Sequence, residues 1–115
     1  MAFSELELKH CEKLVAKFVQ NRRPPPHLRA QVDLAFRISG QSIEIFHIRP
    51  HWEDKSRMLE HSVAKTTYNR RKQHWKVFWK RADMKWHGYQ PNLEVASLEE
   101  FLNVVEDDDH SCFFG

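Results

Sequence analysis

VAKTTYNRRKQHWKVFWKR, Val63 to Arg81, carries seven Lys/Arg, no acidic residue and three aromatics on its second arm. Side chains on a strand alternate between faces, so parity sorts this stretch. If Arg70, Arg71, Lys72 and Gln73 form a loop, Asn69 pairs with His74 and Tyr68 with Trp75. The same register sets Thr66 opposite Val77 and Ala64 opposite Trp79. One face then holds Ala64, Thr66, Tyr68, Trp75, Val77 and Trp79; the other holds Val63, Lys65, Thr67, Lys76, Phe78 and Lys80. A slip of one residue would mix the two sets, so the pattern pins the register. The first face reads as core, with Trp75 and Trp79 buried together. The second reads as a basic surface with Phe78 set in it.

That surface has two readings. It is either an ordinary solvated face or a phosphate-tracking surface with an aromatic ring offered for base stacking. In the second reading Lys65, Arg70, Arg71, Lys72, Lys76, Lys80 and Arg81 contact phosphates and Phe78 stacks.

Upstream, Gln31 to Ile48 reads as another hairpin. Val32, Leu34, Phe36 and Ile38 alternate with other residues, and Gly40-Gln41 supplies a two-residue turn with glycine first, suited to type II′. Closing there pairs Ile38 with Ile43, Phe36 with Ile45, Arg37 with Glu44 and Ala35 with Phe46. Before it, Ser4 and Glu7 form a capping box, with Phe3 and Leu8 at staple positions. Leu8, Cys11, Leu14, Val15 and Phe18 recur at helical spacing as a buried stripe. The helix stops before Pro24-Pro25-Pro26, a stiff connector.

Between the hairpins, His51 to Ser62 is the least regular stretch and reads as a mobile loop, with Trp52 expected to fold back on the sheet edge. After the basic hairpin, Ala82 to Pro91 reads as an aromatic connector. Ser97 and Glu100 mark a second capping box. Leu98, Phe101, Leu102 and Val105 then give a short amphipathic helix. The expected fold is α+β: an N-terminal helix, a four-stranded antiparallel sheet of two hairpins, and a C-terminal helix, in one domain over residues 1–115.

With 115 residues the chain can bury one core without metal or disulfide staples, and 41% hydrophobic with 30% charged residues is ordinary for a globular protein. No apolar run has the length a membrane span needs, and Met1–Asn21 lacks a signal-peptide pattern, so no membrane partner and a cytoplasmic setting are expected. Cys11 and Cys112 read as free thiols. The net charge of +2 hides an asymmetry: residues 1–85 hold all 18 Lys/Arg against nine Asp/Glu, while residues 86–115 hold seven Asp/Glu and no Lys/Arg. The acidic run Glu106–Asp109 is therefore either a solubilising cap or a mask over Arg70–Lys72.

Catalytic motifs are missing. The eight histidines offer no zinc-like quartet: His47 and His51 are split by Pro50, and His110 with Cys112 could join only the neighbouring aspartates. Asp83, Lys85 and His87 form a polar alternation beside Trp86 and Tyr89 that could border a cleft, without a nucleophile or a phosphate-cradling loop. No catalytic residue, metal or cofactor is assigned, and an enzyme is the lesser expectation, with a small metal-dependent hydrolase around Asp83, His87 and the C-terminal acidic cluster as its form.

RPPPHLRAQVDLAFRISGQSIEIFHIRPHW, VAKTTYNRRKQHWKVFWKRADMKWHGY and the terminal CFFG together resemble a small bacterial family known as domain of unknown function 3024. The resemblance spans nearly the whole chain. It implies a bacterial source and an integral domain, and brings no activity or site residues. The function expected from the residues is a non-enzymatic module that binds DNA or RNA through the basic hairpin. A domain for an acidic protein partner is the alternative.

Overall fold

The computed structural model describes residues 3–110 and 112–114. Helix α1 (Glu5–Arg22) is followed by strands β1 (Asp33–Ser39), β2 (Ser42–Pro50), β3 (Met58–Asn69), β4 (His74–Lys80), β5 (Trp86–Gly88) and β6 (Glu94–Val95), then helix α2 (Leu98–Asp107). All strand pairs are antiparallel in the order β1-β2-β3-β4-β5, and β6 joins β4 at Trp75 and Lys76. The α+β class and the two helices agree with expectation; the sheet has six strands, not four.

Both hairpins keep the register that parity demands. Ile38 faces Ile43 and Arg37 faces Glu44 across Gly40-Gln41, and Gly40 takes φ +60°, the left-handed value a first-position turn glycine allows. In the basic hairpin Tyr68 faces Trp75 and Thr66 faces Val77.

The extra structure arises where alternation is broken or brief. Ile45 pairs with Ala64 but Phe46 pairs with Ser62, so Val63 is an additional residue in β3. This bulge reverses parity: Val63 and Ala64 are both buried, and upstream Ser62, Glu60 and Met58 share the face of Lys65. Met58–Ser62, expected as part of a mobile loop, is thus the first arm of a twelve-residue strand. Trp86–Gly88, expected as connector, pairs with β4 after a turn closed by the Met84 N–H on the Arg81 carbonyl. Three residues are too few to show a period.

Trp52 does not fold back. It is 80% exposed, on a loop pinned where the His51 ring nitrogen accepts the N–H groups of Glu53 and Asp54. Trp75 is buried as expected. Trp79 is only half-buried, near the end of β4, with the Arg81 guanidinium 5.7 Å from its ring.

Both helices lie on one side of the sheet. Cys11, Val15 and Val19 of α1 and Leu98, Phe101, Leu102 and Val105 of α2 share a core with Leu34, Ile43, Ile45, Ala64, Trp75 and Val77. The buried stripe of α1 is rotated from the expected one: Leu8, Leu14 and Phe18 flank it, and Val19 completes it. Thr66 is fully buried and donates its hydroxyl to the Lys76 carbonyl at 2.7 Å, so its polar atom is satisfied.

Polar ties fix the ends of α1. The Ser4–Glu7 capping box forms, and Glu7 also receives two hydrogen bonds from Arg70, at 2.7 and 3.1 Å. At the other end Arg22 pairs with Glu106 at 2.8 Å, and Arg23 clamps Asp33 through two bonds. Asp108, at φ 44°, accepts the N–H groups of Phe113 and Phe114 and turns the chain back, so Phe113 packs on the Tyr89 ring. The acidic run therefore starts against Arg22. Arg70 sits by Glu7, fifteen residues and about 22 Å away along α1, well beyond the Debye length of about 8 Å. The acidic run begins at the end of α1 far from the hairpin loop, whose Arg70 and Lys72 face Glu7 and Glu94 instead.

Two outcomes follow for stability. Phe101→Ala should cost about 3–5 kcal/mol in chemical denaturation because its ring is wholly enclosed, and Trp79→Ala should cost clearly less. The Arg70 guanidinium, with the cap, holds the Glu7 carboxyl down at about 2, below its ordinary 4.5. A lowered folded pKa gives stability that is present above the unfolded value and fades as pH falls through the folded one. Wild-type stability should therefore fall more steeply than that of Glu7→Gln as pH drops from about 4.5 to about 2. Parallel acid curves would show that the pair contributes nothing.

Candidate nucleic-acid interface

Because the helices cover one side, parity sends His74, Lys76, Phe78 and Lys80 of β4 to the other. Thr67 of β3 lies opposite Lys76 and Lys65 opposite Phe78. On the other flank Gly88 lies opposite Phe78 and Trp86 opposite Lys80. The result is a patch of two half-exposed rings among ammonium groups. Lys65 Nζ stands 5.8 Å from the Phe78 ring centre and 5.7 Å from that of Trp86, and Lys80 Nζ stands 5.4 Å from Trp86. Lys80 also donates to the Ser62 hydroxyl at 3.4 Å, which holds its head over the sheet. Gly88 leaves the space that Leu93 uses: a Cβ there would stand 3.0 Å from Leu93 Cδ2.

Of the eight residues expected to bind, Lys65, Lys76, Phe78 and Lys80 come together on this face. Arg71 projects from the hairpin loop, exposed. Arg70 turns back to Glu7, and Lys72 reaches to 3.9 Å from Glu94. Arg81 lies past the strand end, beside Trp79. Trp86 went unrecognised because ADMKWHGYQP shows no alternation of its own. The signal was indirect: a strand ending at Lys80 and a turn around Asp83 place Trp86 back beside Lys80.

The neighbouring half of the same face is electrically closed. Arg37 lies over the Phe46 ring at 4.2 Å and pairs with Glu60 and Glu44, while Ser62 donates to Glu44. The positive half is the one built by β3, β4 and β5; Glu94 lies opposite Lys76 at its hairpin-loop end, and Glu44 lies opposite Lys65 where it meets β2.

Other groups serve structure. Asp83 accepts the Lys85 N–H and meets the His87 ring at 2.8 Å; these bonds lower its pKa and shape the turn before β5. Burial pushes the Cys11 thiol up to about 11, so it is a packing group and not a nucleophile at neutral pH. Burial also raises the pKa of Cys112. Among the described residues no three His, Cys, Asp or Glu side chains gather as a metal-binding group. No helix among them is long and apolar enough to cross a membrane.

No curated protein and no solved structure matches the chain. A family model does, described as Domain of unknown function (DUF3024), and it covers residues 3–115. With almost every residue inside that match, the chain belongs to the DUF3024 family.

Proposed function

We propose that the protein is a non-enzymatic module that binds single-stranded DNA or RNA on the uncovered face of β3, β4 and β5. One observation carries the reading: Phe78 and Trp86 are partly exposed on a strand surface, with Lys65 within 6 Å of both rings and Lys80 within 6 Å of Trp86. Every base has a flat face that such a ring can stack on, and lysines beside the rings neutralise the phosphates between stacked bases. A duplex hides its base faces, so the rings would gain nothing from it. Insertion of the hairpin loop into a groove is the weaker form, because Arg70 and Lys72 already hold carboxylates. An acidic protein partner would use the lysines alone and leave the rings idle. The reading carries with it a cytoplasmic setting, where a nucleic-acid partner is found.

Fluorescence anisotropy with labelled oligo-dT, oligo-rU and a duplex, measured across salt, tests the proposal. Single strands should bind more tightly than duplex. Phe78→Ala and Trp86→Ala should each lose about 1–3 kcal/mol of affinity. Lys65→Ala and Lys80→Ala should each flatten the slope of log K against log salt by about 0.7. Arg70→Ala should change little. Binding that polyglutamate displaces equally well and that ignores Phe78→Ala would favour the acidic partner. No binding at low salt would end the reading.

A further inference from the structure

The side of the molecule away from the lysine patch holds a cleft of about 390 Å³, within the size range of small-ligand sites. It opens where the start of α1, the basic hairpin loop and the start of α2 converge. Three rings line it: Tyr68 and Trp75 have centres 4.9 Å apart, and Phe3 lies 5.8 Å from Trp75 and 6.4 Å from Tyr68. Leu98 and the buried Cys11 extend the apolar wall.

Among the described residues the carboxylates Glu7 and Glu99 and the imidazole of His10 line the cleft, and no Lys or Arg does. Glu7 is already matched by Arg70, whose guanidinium stands at the cleft edge 5.9 Å from the Tyr68 ring. Glu99 is exposed and has no ion partner among the described residues, so its charge is available to a ligand. An anion would meet that carboxylate at once. A neutral apolar molecule would gain from the rings and leave Glu99 unused. A cation gains from both, since an aromatic face attracts positive charge and a neighbouring carboxylate reinforces it.

We infer that this cleft is a binding site for a small organic cation, an alkylammonium or guanidinium compound, held between the Phe3–Tyr68–Trp75 rings and Glu99. Nothing in it depends on the lysine patch, which is built from the opposite face of the same strands. The rings give shape and contact area, and Glu99 selects for charge.

Titration of the full chain, followed by amide and indole nitrogen–proton NMR spectra, tests the site. The probes are choline, agmatine and 3,3-dimethylbutan-1-ol, the last a neutral isostere of choline. Choline or agmatine should shift the Trp75 indole and the Gln73, Ala96 and Ser97 amides to saturation, and the neutral alcohol should not. Glu99→Gln and Phe3→Leu should each weaken that binding at least about threefold, with the remaining spectrum in place. Phe3 is the lining ring nearest the start of the chain, so its replacement spares the sheet. Equal shifts from the neutral alcohol would overturn the inference. So would a Glu99→Gln variant that titrates like wild type, or shifts spread over Glu106 and Asp107 with none in the cleft.

Discussion

Every side chain on the sheet owes its direction to the register of β3, which pairs with β2 along most of its length and with β4 through its second half. The added residue at Val63 lets one strand serve two patterns. Downstream of it Ala64, Thr66 and Tyr68 enter the core while Lys65 and Thr67 face water. Upstream, Ser62 and Glu60 take the watery side and meet Lys80, Glu44 and Arg37. Without the bulge, Ser62 and Glu60 would turn to the other face of the sheet and lose the partners they now have in Glu44, Lys80 and Arg37. The bulge thus keeps the helix-covered face apolar and the open face polar across both hairpins.

The opposed charges of the two parts of the sequence meet in specific pairs. Arg22 with Glu106 and Lys72 with Glu94 each join a cation from the first 85 residues to a carboxylate from the last 30. Half-exposed pairs of this kind contribute little stability. Their importance is positional: they draw acidic side chains to the end of α1 and to the hairpin-loop end of β4, where Glu94 lies opposite Lys76, and leave Phe78 and Lys80 to the middle and far end of that strand. An even spread of the same charges would have neutralised the patch.

The legible parts of the sequence were those governed by local rules. Capping residues fixed the starts of both helices, proline ended α1, and alternating side chains gave both hairpin registers, with a glycine-led turn in the first. Illegible parts depended on contacts remote in sequence. Alternation fails across Val63, so Met58–Ser62 did not look like strand. Trp86 acquired its place only from the path of β4. The same holds for Arg70, whose charge was plain but whose partner Glu7 lies 63 positions away. Half of the expected binding residues converge on one face because they share one hairpin's parity. The others diverge because loop and strand-end side chains have no parity to obey. Trp52 defeated a general rule, since an indole usually seeks cover, and a loop braced by His51 holds it in water instead.

The sheet order β1-β2-β3-β4-β5 has a consequence for how the chain reaches its fold. Every main-path strand pairs with its neighbour in sequence, so each pairing closes a short loop and loses little chain entropy. The meander can assemble by successive local steps. Contact between α1 and α2 is different, because Arg22 and Glu106 are 84 positions apart and the intervening chain must already be compact for them to meet. The contact between the helices is therefore a closure of long sequence separation, unlike every pairing on the main path of the sheet. Ile43, Ile45 and Val77 lie in the core that both helices share, so their full cover depends on that remote closure as well as on the local ones.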